Sequence, residues 1–196
     1  MVEHRKEVKH YHDPGDIHEL TFSCNHRLPL LTNDSWRSYL AGSIDSACSS
    51  QHFGLLAFVF MPEHVHLLVL PESSGPNVGA FLAAVKRPCS AKVKHDLVAA
   101  NSSLLRRLSV LERTGKTVFR FWLEGPGYDR NLQREETVLA AIDYIHNNPV
   151  RRGLCTCATD WFWSSARYYT TVPPMLDPRL PKIYPIPPEL FEKCGP

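Results

Sequence analysis

Two histidines, His64 and His66, are separated by one residue within an apolar stretch of β-strand composition. Because side chains alternate between the faces of a strand, both imidazoles are predicted to point the same way, while Val65 and Leu67 point into the opposite layer. Histidine is the commonest metal ligand, so the pair could supply half of a metal site. The simpler interpretation is a buried strand in which two histidines happen to alternate, and the pair alone favours it.

A second pair of functional side chains, Tyr144 and Asn148, stands about eighty residues downstream. Residues 134–147 lack Gly and Pro, begin acidic and place apolar residues at helical spacing, which predicts an amphipathic helix. Residues four apart share one helix face, so the phenol and the carboxamide are predicted side by side. Pro149 is expected to end the helix and to leave Asn148 just past its regular part. The alternative is a tyrosine packed on the core and an asparagine that caps the turn.

Five motifs, in the same order between residues 18 and 168, resemble those of the single-tyrosine HUH transposases, and most of all their REP-associated branch. The motifs are MPEHVHLL (61–68), FW (121–122), YDR (128–130), YIHNNPVRRGL (144–154) and DWFWSS (160–165). Each motif is short, and the resemblance depends on their number and order.

The resemblance implies a site and a reaction. His64, His66 and Asn148 would be ligands of Mg²⁺ or Mn²⁺, and Tyr144 would attack a phosphodiester in single-stranded DNA to form a 5′-phosphotyrosine link. A tyrosine hydroxyl, with a pKa near ~10, is a poor nucleophile until its target is activated, and a divalent cation on a phosphate oxygen provides that activation. The implied partner is single-stranded DNA with hairpin elements, bound by a monomer or a homodimer.

Two other functions remain open at this point. The chain could be a hairpin-binding protein that has lost catalysis, although a pure binder needs no metal site beside a tyrosine. It could also be a metal-dependent phosphoesterase that uses a metal-bound water, with Tyr144 merely structural. That enzyme would hydrolyse DNA without forming a covalent adduct.

Basic residues are concentrated in the middle of the chain. Residues 86–152 contain 13 Lys or Arg against 7 Asp or Glu, a net charge of +6, although the whole chain carries only +2. This polarity suits a polyanionic partner, whereas a solvated basic face is the alternative for any single cluster. The predicted DNA contacts are seven residues of this segment, Lys86, Arg87, Arg120, Arg130, Arg134, Arg151 and Arg152.

Composition predicts an ordinary globular chain in a reducing compartment. The hydrophobic fraction is 43% and the charged fraction 21%, and the six cysteines show no Cys-x-x-Cys spacing. The first ten residues are charged, and no apolar run has the length of a membrane span. We therefore expect a cytoplasmic protein without a membrane segment, and the resemblance implies a prokaryotic, nucleoid-associated one.

The elements predicted to carry these residues follow the order β-α-β-β-α-β-α, which indicates an α+β class. The resemblance implies a ferredoxin-like antiparallel sheet with helices packed on one face. The predicted strands are residues 18–23, 53–60, 64–70 and 117–123. The first helix should be capped by Asn33 or Asp34, and Pro88 should break or kink the second. Residues 101–116 are interpreted as a short helix or an insertion.

Three segments are predicted: a flexible lead-in at 1–17, a catalytic domain at 18–170 and a proline-rich tail at 171–196. Of the chain's 16 prolines, 8 fall within the last 25 residues, which excludes a regular helix or a central strand there. The tail is expected to lie extended over the surface. The aromatic residues between 161 and 169 are expected to anchor it to the core or to stack on bases.

Overall fold

The computed structural model describes residues 16–72, 77–125, 127–174 and 177–187. The strands are β1 (Ile17–Ser23), β2 (Phe53–Phe60), β3 (His64–Pro71), β4 (Ser109–Leu111), β5 (Thr117–Phe119) and β6 (Tyr128–Leu132). The α-helices are α1 (Asp34–Gln51), α2 (Val78–Ala99), α3 (Ser103–Arg107), α4 (Glu135–Arg151) and α5 (Ala166–Thr170). Within the described ranges, no helix is both long and apolar enough to cross a membrane.

The centre of the molecule is a four-stranded sheet in the order β2-β3-β1-β6, and all neighbouring strands in it are antiparallel. With α1 between β1 and β2, and α2 after β3, the arrangement is ferredoxin-like. The predicted α+β class and antiparallel sheet are confirmed. Helices α1 and α2 pack together on one face, as expected for this fold, but α4 packs on the opposite face. The prediction that the helices share one face therefore applies to α1 and α2 alone.

The alternation of side chains along β3 separates the two layers. Val65 and Leu67 belong to the core formed with α1 and α2. Leu68 and Leu70 belong to the second core, against the apolar stripe of α4. His64 and His66 therefore point to the face that α4 covers. The first helix begins as predicted, because the side chain of Asn33 accepts a hydrogen bond from the Trp36 N–H.

The fourth strand of the central sheet is β6, so the prediction of a strand at 117–123 is wrong. Thr117–Phe119 pairs instead with Ser109–Leu111 in a separate two-stranded sheet, and further along the segment an isolated bridge joins Trp122 to Cys24. Phe121 and Trp122 leave that hairpin and enter the core, where Phe121 meets Trp36 edge to face. The apolar pattern correctly predicted that this segment is buried, but burial does not identify the strand with which a segment pairs. The predicted insertion at 101–116 contains α3 and β4.

Two prolines lie inside helices: Pro149, which was predicted to end its helix, and Pro88, which was predicted to break or kink its helix. Helix α2 continues through Pro88, and α4 continues through Pro149 to Arg151. A proline removes one backbone donor, yet the next turn of α4 still closes, because the Arg152 N–H bonds to the Asn148 carbonyl at 3.1 Å. Asn148 and Pro149 are both buried, so tertiary packing holds the last turn in place. The predicted helix end at Pro149 is wrong.

Later segments of the chain cover the outer edge of β2. The Phe60 N–H donates to the Trp163 carbonyl at 2.8 Å, and the Tyr184 N–H donates to the Leu55 carbonyl at 2.8 Å. Open strand edges invite pairing with other chains, and these contacts occupy the edge. Residues 177–187 contain no regular element, and Leu180 is buried in the core. Residues 1–15 and 188–196 of the predicted lead-in and tail lie outside the described residues, and the division into three segments stays a prediction.

Gly54 provides a test of this covering contact. A Cβ at Gly54 would lie 2.6 Å from Cγ of Tyr184, so Gly54→Ala must displace the tail. We expect this variant to lower the free energy of unfolding by about 1–3 kcal/mol. The matched control is Gly42→Ala in α1, where nothing lies within 4 Å of a Cβ and the expected change is a gain of about 0.5–1 kcal/mol. Urea denaturation of both variants measures the difference, and equal stabilities would contradict the prediction.

Candidate active site

Strand β3 and the last turns of α4 bring the predicted metal ligands together. The Nε2 atoms of His64 and His66 are 3.0 Å apart, and Asn148 Nδ2 lies 3.3 Å from His66 Nε2. Tyr144 is one helical turn before Asn148, and its ring meets the His66 ring edge to face with centroids 5.8 Å apart. Both residues of the helix therefore contact His66, as their spacing of four predicts.

Hydrogen bonds to the other ring nitrogens orient the two imidazoles. His64 Nδ1 is 3.1 Å from Oε1 of Glu63, and a carboxylate accepts but does not donate, so the proton is on Nδ1 and Nε2 presents its lone pair. His66 Nδ1 is 2.8 Å from the Thr21 hydroxyl, which can donate or accept. When Thr21 accepts, His66 Nε2 also presents a lone pair to the same point.

Burial keeps these imidazoles neutral near neutral pH. Burial, together with the smaller effect of the neighbouring His64, lowers the pKa of His66 to about 4. Burial also lowers the pKa of His64, against the opposing attraction of Glu63. A neutral imidazole has a lone pair available for a metal ion, whereas a protonated one does not.

The donor set fits a divalent cation. Two adjacent ligands of an octahedral ion, each about 2.1 Å from it, are about 3 Å apart, which matches the separation of the two Nε2 atoms. Asn148 supplies an oxygen donor once its amide is turned so that Oδ1 replaces Nδ2, a rotation that leaves the backbone unchanged. Among the described residues, no group of three His, Cys, Asp or Glu side chains could hold a metal ion. A site with three protein ligands here therefore needs the Asn148 amide as the third.

A cleft of ≈ 480 Å³ opens beside this group. Its lining consists of Glu19, Thr21, His66, Tyr128, Arg130, Ala140, Ala141 and Tyr144. Tyr144 is 43% exposed and Tyr128 is 51% exposed, which is unusual for large side chains beside a buried histidine. The two alanines leave room on the helix side of the cleft. A ligand in this space can therefore reach the phenol of Tyr144.

Four of the predicted DNA contacts are distributed along α4 and the cleft. The guanidinium carbon of Arg151 is 5.2 Å from the centre of the Tyr144 ring. Arg130 lines the cleft, and Arg152 lies just after the last residue of α4. Arg134 precedes the first residue of α4, about 15 Å along the helix axis from Tyr144. Arg134 is thus at the opposite end of the helix from the histidines.

Two of these arginines form ion pairs with acidic neighbours. Arg130 contacts Oε2 of Glu19 at 2.9 Å, and Arg152 contacts Oε1 of Glu63 at 2.9 Å. Both arginines remain about half exposed. The positive charge of each arginine is therefore offset by a neighbouring carboxylate, which a count of basic residues does not show.

The other three predicted DNA contacts, Lys86, Arg87 and Arg120, line a separate groove of ≈ 770 Å³ between α2 and residues 116–125. The groove also contains Lys94 and Lys116, both exposed. Two hydrogen bonds of Lys86 join the walls of the groove. The Trp122 Nε1–H donates to the Lys86 carbonyl, and the Lys86 Nζ donates to the Gly125 carbonyl.

The basic residues of the groove differ in availability. Arg120 forms ion pairs with Glu112 at 2.9 Å and with Glu124 at 2.8 Å. Burial lowers the pKa of Lys86 to about 8, and its ammonium lies 4.9 Å from the centre of the Phe22 ring. Arg87, by contrast, is exposed. The exposed side chains of Arg87, Lys94 and Lys116 are therefore more available to a polyanion than those of Lys86 and Arg120.

Sequence reasoning missed Glu63 and Thr21, which orient the histidines. Because Glu63 directly precedes His64 and carries a carboxylate, the sequence could have indicated it as a hydrogen-bond partner of that histidine. Thr21 lies opposite His66 in the register of β1 and β3. That register depends on long-range pairing, which no local pattern specifies.

Gly127 offers a test of how the cleft is built. Its φ is +81°, and a Cβ there would collide with the backbone carbonyl of Thr21. The matched control is Gly125→Ala, which carries backbone strain at φ +113° but meets nothing within 4 Å. We expect Gly127→Ala to lower the free energy of unfolding by about 1–3 kcal/mol more than the control, and to shift the NMR resonances of Thr21 and His66. Equal changes in both variants would argue against this packing.

Comparison with known proteins supports the resemblance found in the sequence. Residues 16–102 match the family model described as "Transposase IS200 like". A protein of Haemophilus influenzae named "Putative REP-associated tyrosine transposase" is 25% identical over 144 residues, which cover 69% of this chain and 76% of that protein. A solved REP-associated tyrosine transposase bound to a REP hairpin has the same fold, with a TM-score of 0.63 and 20% identity over 89% of this chain and 90% of that one. The predicted resemblance is confirmed: the chain is similar to the IS200-like transposases over residues 16–102 and to a REP-associated tyrosine transposase over 144 residues.

Proposed function

We propose that this protein is a metal-dependent tyrosine transposase that recognises DNA hairpins and cleaves and rejoins single-stranded DNA through a 5′-phosphotyrosine intermediate. The observation that carries the proposal is the position of Tyr144, exposed in a cleft and in contact with one of two neutral imidazoles whose Nε2 atoms are 3.0 Å apart. The sequence similarity to IS200-like and REP-associated tyrosine transposases supports the same assignment.

The protein's own residues have distinct roles in this proposal. His64, His66 and Asn148 would hold Mg²⁺ or Mn²⁺, and the bound ion would supply polarisation of the phosphodiester and stabilisation of charge on its oxygens. The Tyr144 Oη–phosphorus bond forms as the bond from phosphorus to the 3′-oxygen breaks. The phenol proton is released, and the 3′-oxygen is protonated to a hydroxyl. Because the new link is itself a phosphodiester, a later attack by a 3′-hydroxyl rejoins DNA without ATP.

Arg151 is the basic residue best placed to assist this step. Its guanidinium packs over the Tyr144 ring, so it can pair with the phosphate that the tyrosine attacks. The same contact restrains the ring near His66. Arg130, at the other side of the cleft, is held by Glu19 and is proposed to contact the flanking phosphate.

The groove beside α2 is proposed to bind the phosphate backbone of the hairpin. The related solved structure is bound to a REP hairpin, and we extend that ligand to this chain as part of the proposal. The exposed cations Arg87, Lys94 and Lys116 line the groove, which suits contacts to successive phosphates. The groove lies close to the cleft along the chain, because Trp122 is hydrogen-bonded to the Lys86 carbonyl of α2 and Tyr128, six residues later, lines the cleft.

The exposure of Tyr144 favours transesterification over the two alternatives. A structural tyrosine would be expected to bury its ring, whereas Tyr144 is 43% exposed beside the proposed ligands. A protein that only binds hairpins has no need for two neutral imidazoles, that of His66 buried and that of His64 partly buried, aimed at one point. An assay for a covalent protein–DNA adduct separates all three functions.

The first prediction of this proposal concerns the covalent adduct. Wild-type protein, incubated with Mn²⁺ and a labelled single-stranded hairpin from the flanks of its own gene, should give a slow-moving band on a denaturing gel. Tyr144→Phe should abolish the band, while Tyr128→Phe, which alters the other exposed tyrosine of the cleft, should retain it. His64→Ala should slow cleavage by at least about 100-fold, because metal activation contributes several kcal/mol.

Other outcomes of this experiment identify the alternatives. Cleavage without a band in the wild type would indicate a phosphoesterase that uses water. Binding without cleavage would indicate a transposase that has lost its chemistry. An adduct that persists in Tyr144→Phe would show that the nucleophile is another residue.

The second prediction concerns the groove. Arg87→Ala should weaken hairpin binding for all sequences and reduce the slope of log affinity against log salt by about 0.9, the value for one lost contact to a duplex phosphate. The control is Arg107→Ala, since Arg107 is also exposed but lies on α3 away from the groove lining. Fluorescence anisotropy over a range of salt concentrations measures both slopes. Equal slopes in the two variants would exclude the groove as the duplex site.

A further inference from the structure

Glu63 stands between a proposed metal ligand and an arginine of α4. Its Oε1 atom lies 3.1 Å from His64 Nδ1 and 2.9 Å from a guanidinium nitrogen of Arg152. The Glu63 side chain is only 16% exposed. Its backbone is fixed as well, because its carbonyl accepts a hydrogen bond from the Cys24 N–H at 2.8 Å. The carboxylate is therefore held by two side chains on an anchored backbone.

We propose that Glu63 and Arg152 form a positioning pair that sets the tautomer and direction of His64. Arg152 fixes the carboxylate, and the carboxylate keeps the proton of His64 on Nδ1, so that Nε2 faces His66 and Asn148 with its lone pair. Partners of this kind fix ring orientation and raise the basicity of a ligating imidazole. The role of His64 as a metal ligand rests on the proposed function, whereas the tautomer of His64 in the metal-free protein does not.

The pair also ties together the two elements that carry the site. Glu63 directly precedes the first residue of β3, and Arg152 directly follows the last residue of α4. Their contact is thus a bond between the start of the His64–His66 strand and the end of the Tyr144–Asn148 helix. Without it, the two ends can separate, and the distances between the proposed ligands change.

This role differs from the phosphate contact predicted for Arg152. One guanidinium nitrogen of Arg152 is engaged by Glu63, whereas the neighbouring Arg151 packs on the Tyr144 ring. The two adjacent arginines therefore act on different groups. Arg151 serves as the matched control for Arg152, because its removal takes away the same charge near the site and leaves Glu63 in place.

The sign of the effect on metal affinity distinguishes positioning from simple electrostatics. Removal of a positive charge close to a cation site strengthens cation binding when charge alone matters. Removal of the residue that orients Glu63 weakens binding, because His64 loses its fixed direction. Arg152→Ala is therefore expected to weaken Mn²⁺ binding, and Arg151→Ala to leave it unchanged or strengthen it.

The experiment is an electron paramagnetic resonance titration of the DNA-free protein with Mn²⁺. We expect Glu63→Gln to weaken Mn²⁺ binding by about 10–100-fold and Arg152→Ala to weaken it by at least a few fold. The double variant should bind no more weakly than Glu63→Gln alone, because Arg152 acts through Glu63. Arg152→Lys, which can still pair with the carboxylate, should recover part of the loss. Circular dichroism establishes that each variant is folded.

A second readout needs no metal. Side-chain ¹⁵N NMR of His64 in the metal-free protein should show the proton on Nδ1 in the wild type, and a mixture of tautomers in Glu63→Gln and Arg152→Ala. Arg151→Ala should keep the wild-type pattern.

Several results would overturn the positioning role. Tighter or unchanged Mn²⁺ binding in Arg152→Ala would do so, as would additive losses in the double variant. If the wild type binds no Mn²⁺, the proposed metal site fails, and the NMR comparison decides the positioning role by itself. An unchanged His64 tautomer in Glu63→Gln would then reject it.

Discussion

Helix α4 lies on the second face of the sheet and buries Val138, Ile142 and Ile145 against residues of β2 and β3. Each such side chain contributes about 1.5–3 kcal/mol when fully buried, so the contact holds the helix firmly. Everything at the site depends on it, since the histidines are on β3 and Tyr144 is on the opposite wall. The helix continues through the buried Pro149, which brings Arg152 to Glu63, directly before the start of β3.

Local patterns were sufficient for the parts of the site that lie within one element. Alternation along a strand placed His64 and His66 together, and a spacing of four placed Tyr144 beside Asn148. The end of α4 was mispredicted, because the intrinsic cost of Pro149 was outweighed by burial that only the folded chain provides. The fourth strand was mispredicted for a related reason. Both 117–123 and 128–132 could extend, and the choice of partner for β1 is a long-range contact.

Charge composition was the weakest guide to individual residues. The count of basic side chains located the correct region, but it could not tell that Arg120 is paired with two glutamates or that Arg152 is paired with Glu63. Ion pairs between residues far apart in sequence depend on the fold, so composition registers the charges and misses their compensation. Of the three predicted DNA contacts that line the groove, Arg87 is exposed, Arg120 is paired, and Lys86 is more buried and has its pKa lowered to about 8.

The covered edge of β2 has a consequence for how the protein is made. Strand β2 ends at Phe60, but the residues that cap its edge are Trp163 and Tyr184, more than a hundred positions later. At synthesis rates of about 5–20 residues per second, the ribosome needs roughly 6–25 s to deliver Tyr184 after Phe60. During that interval a fully apolar strand has an unpaired edge, which is a template for association with other nascent chains. The newborn chain is therefore most vulnerable to aggregation before its C-terminal segment emerges.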